Sequence, residues 1–303
     1  MKKMVIAAGT GFLGKIITEH FKPKAKTIII LTRKKNKEVN NIKYVNWDAK
    51  TIGNWAKELN NADALINLTG KSVDCRYNKK NKDLILHSRI DSTIILAEAI
   101  QKCTNPPKVW LNSSTATIYR YSLKKEMNET DGEIGTGFSV NVAKSWEKTL
   151  FEQQTFNTRK VALRIAIVLG KNGGALQPIL NLTRIGFGGK QGLGNQKISW
   201  IHELDFARSI EFIIHTKKIE GVINIVSPKP CTNSIFMKTL RKTIRVPFGI
   251  PISKPLLEFG AKLIKTETEL ILKSRNVIPE KLKAHGFKFT YPELKNALNH
   301  LVH

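Results

Sequence analysis

The stretch Met4-Val5-Ile6-Ala7-Ala8-Gly9-Thr10-Gly11-Phe12-Leu13-Gly14 decides the fold of this chain. A short apolar run enters a glycine-rich turn, and Lys15–Phe21 then spaces its apolar residues as a helix does. A strand, a Gly-x-Gly-x-x-Gly turn and a helix in this order are typical of a dinucleotide-binding unit. The glycines let the backbone approach a pyrophosphate, and the helix N-terminus offers free N–H groups. Because the spacing alone is weak evidence, the rest of the chain has to support a dinucleotide.

The composition is that of a folded protein without membrane spans. The chain has 303 residues, of which 41% are hydrophobic and 8% aromatic, and no run approaches the roughly 18–20 apolar residues of a membrane span. The apolar start is broken by glycines where the core of a signal peptide would continue. Cys75, Cys103 and Cys231 match no metal spacing. We therefore expect a protein of the reducing cytoplasm with no metal site and no membrane partner.

The charge is strongly positive. Fifty Lys and Arg against 24 Asp and Glu give a net charge of +26, which a nucleic-acid binder could show. The cations are spread along the chain, however, and no long basic tail or aromatic-interleaved basic stripe occurs. Three interpretations stay open: the habit of a lysine- and asparagine-rich proteome, a surface that attracts anionic cofactor and substrate, and nucleic-acid binding. We favour the first and expect no nucleic-acid partner.

The second strand indicates which dinucleotide is bound. Thr27–Leu31 is a β-branched run that predicts a buried parallel strand. It ends in Thr32-Arg33-Lys34-Lys35, without the acidic residue that would accept the ribose hydroxyls of NAD. An Arg at this position can meet a 2′-phosphate, which predicts NADP(H) preference through Arg33 with Thr32 beside it. The alternative is a solvated loop of a basic protein.

Two further strands end in residues suited to a site. Ala62–Gly70 predicts a buried fourth strand whose end, Leu68-Thr69-Gly70, would line the cofactor, unless Gly70 merely ends the strand. After a long helix predicted over Asn81–Lys102, Val109–Leu111 starts a fifth strand that runs into Asn112–Tyr119. The hydroxyl groups there are placed to touch a substrate carbonyl or the nicotinamide; the alternative is a turn rich in hydroxyl residues.

These motifs together resemble the epimerase/dehydratase branch of the extended short-chain dehydrogenase/reductase superfamily. Residues 8–14 are similar to Gly-Gly-Thr-Gly-Phe-Ile-Gly, with Ala8 in place of the first glycine. Asn67–Gly70 is similar to Asn-Leu-Ala-Gly, and Ser113–Tyr119 to Ser-Ser-Ser-Ala-Thr-Val-Tyr. The resemblance implies that the catalytic hydroxyl falls on Thr115.

The catalytic Tyr-x-x-x-Lys pair of that family is missing. Aligning Glu147 with the family's glutamate puts Ser139 at the Tyr position and Ala143 at the Lys position. The pair works because a Lys lowers the pKa of the Tyr so that it can shuttle a proton, which a Ser cannot do unaided. Lys144 is one residue off, about 100° around the helix, and cannot simply replace the missing Lys.

Because the Tyr-x-x-x-Lys pair is missing, the chain resembles one atypical epimerase-like subgroup, which has a small C-terminal domain of undefined role. The similarity covers essentially the whole chain, and its later matches are 161–170, 173–176, 186–189, Gly192 and Gly194, 199–205, Asn224, Thr232-Asn233, 277–279, 286–289 and 291–294. It implies NADP(H) binding without an assigned substrate. The cofactor-binding residues that motifs and resemblance predict together are Gly9, Thr10, Gly11, Phe12, Leu13, Gly14, Thr32, Arg33, Leu68, Thr69, Gly70, Arg89 and Val168.

The later segments agree with this interpretation. Val161–Leu169 predicts a buried strand, and the glycine-dense loop 186–194 is interpreted as a mobile lid over the substrate. A lone His beside a Trp is more often a packed core residue than an acid or base, so His202 is a secondary catalytic candidate behind Thr115. Asp205 is expected to cap a helix over Phe206–His215.

We therefore predict an α/β protein with a Rossmann-type doubly wound parallel sheet and a smaller, mostly helical C-terminal substrate-side region. The NADP(H)-binding domain would span 1–170 with strands from about 198–227, and the substrate-side region 171–303, with a helical unit at about 250–303. The first functional hypothesis is an NADP(H)-dependent epimerase-like oxidoreductase that acts on an unknown small molecule as a monomer or homodimer. The alternative is a non-catalytic NADP(H)-binding redox sensor or regulatory protein.

Overall fold

A computed structural model describes residues 1–263 and 272–303, with only the backbone for residues 259–263. The strands are β1 (Lys3–Ala7), β2 (Thr27–Thr32), β3 (Lys37–Val39), β4 (Ile42–Asn46), β5 (Ala64–Asn67), β6 (Val109–Thr115), β7 (Arg159–Ile165), β8 (Ile167–Gly170), β9 (Gly173–Gly174), β10 (Lys197–Ile198), β11 (Trp200–His202), β12 (Gly221–Ile225) and β13 (Cys231–Thr232). The α-helices are α1 (Phe12–Phe21), α2 (Lys79–Gln101), α3 (Phe138–Glu152), α4 (Leu176–Leu182), α5 (Glu203–His215), α6 (Asn233–Thr243), α7 (Lys254–Leu263), α8 (Glu280–Ala284) and α9 (Leu294–Val302). Asn54–Leu59 and Ala116–Ile118 are 3₁₀ turns, and Thr183–Phe187 is a π-helical turn with a kink.

The main sheet has eight strands in the order β12-β7-β6-β5-β1-β2-β4-β3. All pairs are parallel except β3 with β4. The chain leaves β1 towards β2 and later returns to its other side as β5, so the order reverses at β1. A reversal of this kind opens a crevice at the carboxyl ends of the strands, where ligands bind in doubly wound sheets.

Helices cover both faces of the sheet. On one face the core contains Ile17 of α1 and Ile210 of α5, and on the other it contains Leu96 of α2 and Leu150 of α3. The central strands are apolar on both faces, as a sheet covered on both sides requires. The predicted Rossmann-type fold is confirmed.

Two strand predictions are corrected. The predicted strand Val161–Leu169 is split at Ala166, because β7 pairs with β6 and β12 whereas β8 pairs with β11 and β9. The hairpin strand β3 has no predicted counterpart, since all three of its residues are exposed and show no alternation.

A further core lies between α4, α6 and α9. Loop 186–194, which the sequence predicts to be a mobile lid, is hydrogen-bonded to the segment after α6: the N–H groups of Gly189 and Gly192 donate to the carbonyls of Ile250 and Ile252. Within 1–263 and 272–303, no helix is long and apolar enough to cross a membrane.

The cap of α5 is also corrected. Asp205 does not cap the helix, since His202 occupies the N-cap and its Nδ1 accepts from the N–H of Leu204 at 2.9 Å. The carboxylate of Asp205 instead accepts from the N–H groups of Thr290 and Tyr291, at 2.8 and 2.7 Å. This carboxylate, which is fully buried, ties the C-terminal segment to the first turn of α5.

Candidate functional site

The three glycines of the turn differ in the space around them. A Cβ on Gly14 would lie 2.3 Å from the carbonyl oxygen of Gly9, and a Cβ on Gly9 would lie 3.0 Å from Ile6 Cγ2. A Cβ on Gly11 would meet only the carbonyl oxygen of Ala8, at 3.9 Å. Packing therefore requires Gly14 and constrains Gly9, whereas Gly11 has open space above it.

Ala8 takes the strained position in this turn. Its φ is +58°, in the left-handed region that costs a non-glycine residue about 1–2 kcal/mol. Ala8 stands where the family has its first glycine, and a glycine would be less strained at this position.

Free N–H groups sit at the start of α1. The first backbone hydrogen bond of the helix runs from Lys15 N–H to the carbonyl of Gly11, at 2.9 Å. The N–H groups of Phe12, Leu13 and Gly14 find no acceptor in the part of the chain that the structure describes. Such a helix end favours an anion, because the orphan donors and the helix dipole act together.

A cleft of about 600 Å³ opens beside this turn. It brings together ten of the predicted site residues: Gly11, Phe12, Leu13, Gly14, Leu68, Thr69, Gly70, Arg89, Thr115 and Val168. The ring of Phe12 also packs against the backbone of Gly170, Gly173 and Gly174, where a Cβ would lie 2.6–2.9 Å from it. The motifs at the ends of β1, β5, β6 and β8 therefore converge on one site.

Two hydroxyl groups in the cleft are buried without a partner. Thr69 Oγ1 and Ser113 Oγ make no hydrogen bond to any residue that the structure describes. A buried polar group left unpaired costs roughly 1–3 kcal/mol. A ligand in the cleft could relieve this cost by pairing with them. The sequence predicted Thr69 as a cofactor contact, whereas Ser113 was only one of several hydroxyl residues in Asn112–Tyr119.

Arg89 forms one wall of the cleft. Its guanidinium lies 5.0 Å from the ring centre of Trp146, and its Nη1 donates to the carbonyls of Ile85 and Lys71 at 2.8 and 3.2 Å. Burial lowers the pKa of Arg89 to about 10, so the group stays cationic at neutral pH. It is a fixed positive charge inside the cleft.

Thr115 is joined to a second hydroxyl and, through it, to the C-terminal segment. Its hydroxyl donates to Thr117 Oγ1 at 3.0 Å, and Arg275 Nε donates to the same atom at 3.0 Å. Thr117 also lines the cleft. Sequence reasoning did not single out Thr117 from the hydroxyl run, and no local signal could pair it with a residue 158 positions away.

Helix α3 carries the two residues that stand at the positions of the catalytic Tyr and Lys. Ser139 and Ala143 both line the cleft, together with Trp146 one turn further on. Lys144 is exposed and is not among the lining residues, as its position on the helix predicted. Tyr77, which the sequence analysis passed over, also lines the cleft and packs against Phe138 with ring centres 5.0 Å apart.

Arg33 lies outside this cleft, at the end of β2. It is exposed, and it has no hydrogen bond or ion pair within the described ranges 1–263 and 272–303. Thr32 beside it is buried. Gly9 and Thr10 lie in a neighbouring groove that Lys34 and Lys35 also line. The cations at the strand end are therefore on the outer side of the glycine turn, available to an anion.

His202 does not belong to the cleft. It is buried, its ring stacks on Tyr291 at 4.0 Å between centres, and its Nε2 lies 3.1 Å from His300 Nδ1. The structure therefore does not bring His202 and Thr115 into one site, and we do not carry His202 forward as a catalytic residue.

Among the described residues, no group of three His, Cys, Asp or Glu could hold a metal ion.

The burial of His202 predicts a pH-dependent stability. Burial, and then the neighbouring His300, lower the pKa of His202 to about 4. An unfolded His titrates near 6.5, so the folded state loses stability as the pH falls from about 6.5 towards 4, by about 3 kcal/mol. His202→Asn keeps a capping oxygen. In urea unfolding, the free energy of unfolding of the wild type should exceed that of His202→Asn by less at pH 4 than at pH 6.5. A constant difference would contradict a neutral, buried His202.

The chain matches two families and several curated relatives. Residues 4–225 match the family described as "NAD dependent epimerase/dehydratase family", and residues 253–301 match "Domain of unknown function (DUF1731)". "Epimerase family protein SSP1921" of Staphylococcus saprophyticus is 35% identical over the full length of both chains. "Epimerase family protein YfhF" of Bacillus subtilis is 32% identical, covering 99% of this chain and 97% of that protein.

Solved structures give the same result. The human epimerase family protein SDR39U1, crystallised with NADPH, has a TM-score of 0.87 at 29% identity and covers 99% of this chain and 98% of its own. A UDP-N-acetylglucosamine 4-epimerase from Bacillus cereus has a TM-score of 0.75 at 20% identity, with coverage of 99% and 95%, which is a likeness of fold. The matches confirm the resemblance drawn from the motifs, including the C-terminal domain of undefined role.

Proposed function

Because the chain belongs to the NAD dependent epimerase/dehydratase family, we propose that it binds NADP(H) in the cleft beside the glycine turn and acts as an epimerase-like oxidoreductase on a small molecule. The observation that carries the proposal is Gly11. Packing does not require a glycine there, and the three free N–H groups that follow it can receive a pyrophosphate. The NADPH bound to human SDR39U1 supports the same cofactor.

The residues present fit this cofactor. Thr69 and Ser113 have unpaired hydroxyls in the cleft, and Arg89 supplies a fixed cation. The 2′-phosphate of NADP(H) would be held by Arg33, whose charge is unpaired among the described residues, with Thr32 and Lys34 beside it. Neither Asp nor Glu stands at the end of β2 to prefer the free ribose hydroxyls of NAD(H).

When bound, the nicotinamide would supply a hydride donor or acceptor. The protein's own part is to orient the substrate and to hold a hydrogen-bond donor against its carbonyl oxygen. Thr115 and Thr117 supply hydroxyl groups at the end of β6, and Arg275 sets the direction of the Thr117 hydroxyl. Without a Tyr–Lys pair, the proton has to come from the substrate or from water, so we expect slow turnover.

The second candidate is a non-catalytic NADP(H)-binding regulator that reports the redox state to a partner. Ser139 and Ala143 at the positions of the catalytic pair favour it. The hydroxyls of Thr115 and Thr117 in the cleft favour the enzyme.

A screen for NADPH oxidation with sugars, quinones and small aldehydes separates the two candidates. If Thr115 stabilises the developing oxyanion, Thr115→Val should lower kcat about 10²-fold with any active substrate, while the affinity for NADPH stays unchanged. Thr115→Ser, which keeps the hydroxyl, should retain most of the activity. Tight NADPH binding with no turnover of any compound would favour the regulator.

A further inference from the structure

The substrate-side region carries a surface that the proposed function does not use. Its segments Lys171–His202 and Gly221–Leu257 contain ten Lys and Arg and not one Asp or Glu. In a chain with 24 acidic residues among 303, this absence is local and marked. These two segments therefore carry a net charge of +10.

Large apolar side chains are exposed in the same segments. Six of them expose between 49% and 82% of their surface: Ile185, Leu193, Ile235, Phe248, Ile250 and Leu256. Single exposed apolar residues are ordinary, but several together mark an interaction site. We call these residues, with the cations that stand among them, the basic–apolar face.

Backbone hydrogen bonds hold the segments of this face side by side. Ile250 N–H donates to the carbonyl of Gly186 at 2.8 Å, next to Ile185, and Ser234 N–H donates to the carbonyl of Gly194 at 2.9 Å, between Leu193 and Ile235. Phe248 Cε2 lies 3.8 Å from where a Cβ on Gly186 would stand. Ile185, Phe248 and Ile250 are therefore neighbours in space, and so are Leu193 and Ile235.

Two cations of these segments are paired, Lys229 with Glu293 and Lys254 with Glu258, whereas five others have no ion-pair partner in the described part of the chain. On α6, Lys238 and Lys242 are exposed one turn apart on the side that also carries Ile235. These two lysines, Arg184, Lys190 and Arg245 form no ion pair with any residue in the described part of the chain. Five unpaired cations interleaved with apolar side chains call for a partner that is both anionic and able to take up hydrocarbon.

We infer that the basic–apolar face docks the protein onto the headgroup region of an anionic phospholipid membrane. Lipid phosphates match the cations, and the boundary with the acyl chains takes up the apolar side chains. A nucleic acid would use the cations but gain little from exposed Ile and Leu, and a second copy would bring like charges together. The expectation of no membrane partner rested on the lack of a spanning segment, which surface docking does not need.

The test is flotation of the full-length protein with phosphatidylcholine vesicles, with and without phosphatidylglycerol. We expect binding only when phosphatidylglycerol is present, weakened by added salt because the attraction is screened. Replacing Ile185 and Phe248 together by Ser should weaken binding about tenfold or more, and Arg245→Gln should weaken it about fivefold. Circular dichroism and NADPH titration show that each variant is folded.

Matched controls lie elsewhere on the surface. Phe156 is 78% exposed outside the face, and Lys144 is exposed on α3. Phe156→Ser and Lys144→Gln should leave vesicle binding unchanged. No binding to anionic vesicles, equal binding to neutral ones, or equal loss in the controls would each overturn the inference. Binding of single-stranded RNA that depends on Phe248 and Arg245, without vesicle binding, would assign the face to nucleic acid instead.

Discussion

Replacing Glu147 by Gln is expected to lower the free energy of unfolding by about 3–5 kcal/mol, because it leaves a buried guanidinium without its counter-ion. The Glu147 carboxylate accepts from Arg164 Nε at 2.9 Å, from Arg164 Nη2 at 2.8 Å and from Ser114 Oγ at 2.6 Å. Both charged side chains are buried. Urea unfolding followed by circular dichroism measures the loss.

The same ion pair supports the site. Ser114 is next to Thr115 in β6, and Arg164 Nη1 donates to the hydroxyl of Tyr119 at 2.8 Å. Glu147 sits on α3 four residues after Ala143. The carboxylate therefore fixes α3 against the end of β6, and residues of both elements line the cleft.

Glu152 on the same helix provides the control. It is exposed, and its carboxylate lies 3.6 Å from the ammonium of Lys148. Glu152→Gln should change the free energy of unfolding by less than about 0.5 kcal/mol, as exposed helix pairs do. If the two variants were equally stable, the buried pair would not hold α3 on the sheet.

Gly14→Ala is the second large effect. An added Cβ would lie 2.3–2.5 Å from three backbone atoms of Gly9, which cannot move without opening the turn. Alanine gains about 1 kcal/mol over glycine in a helix, but overpacking costs more. We expect a net loss of about 2 kcal/mol in the free energy of unfolding, measured by thermal or urea denaturation.

Gly11→Ala separates folding from binding. A Cβ there meets nothing of the protein closer than 3.9 Å, so the stability should stay within about 1 kcal/mol of the wild type. The dissociation constant for NADPH should nevertheless rise about tenfold or more, because the methyl would stand where we propose that the pyrophosphate approaches. Unchanged NADPH affinity in Gly11→Ala would show that the cofactor does not lie over this turn.

The sequence was sufficient where local pattern and tertiary structure agree. The apolar run before Gly9 and the helical spacing after Gly14 predicted β1 and α1, which flank the turn. The ends of β5 and β6 could be placed in one cleft because parallel strands of a doubly wound sheet point their carboxyl ends to the same edge. The hydroxyl run at Thr115 was found for the same reason.

Prediction failed where partners distant in the chain decide the outcome. The break at Ala166 is invisible in the apolar run, since only pairing with β11 draws the chain away from the main sheet. For His202 the sequence favoured a packed core residue, but it could not indicate the partners Tyr291 and His300, which lie about 90–100 positions away. The contact between Arg275 and Thr117 joins the C-terminal segment to the site and has no local signature.

The central claim is that the cleft binds the phosphorylated dinucleotide. The most direct test is a titration of the protein with NADPH and NADH, followed by the fluorescence of tryptophan, since Trp146 lines the cleft. We predict saturable binding in which NADPH is tighter by about tenfold or more, as expected for a charge-assisted contact. Arg33→Ala should remove most of this difference, whereas Lys124→Ala, at an exposed cation elsewhere, should leave it intact. Equal affinities for the two dinucleotides, or no saturable binding of either, would contradict the account.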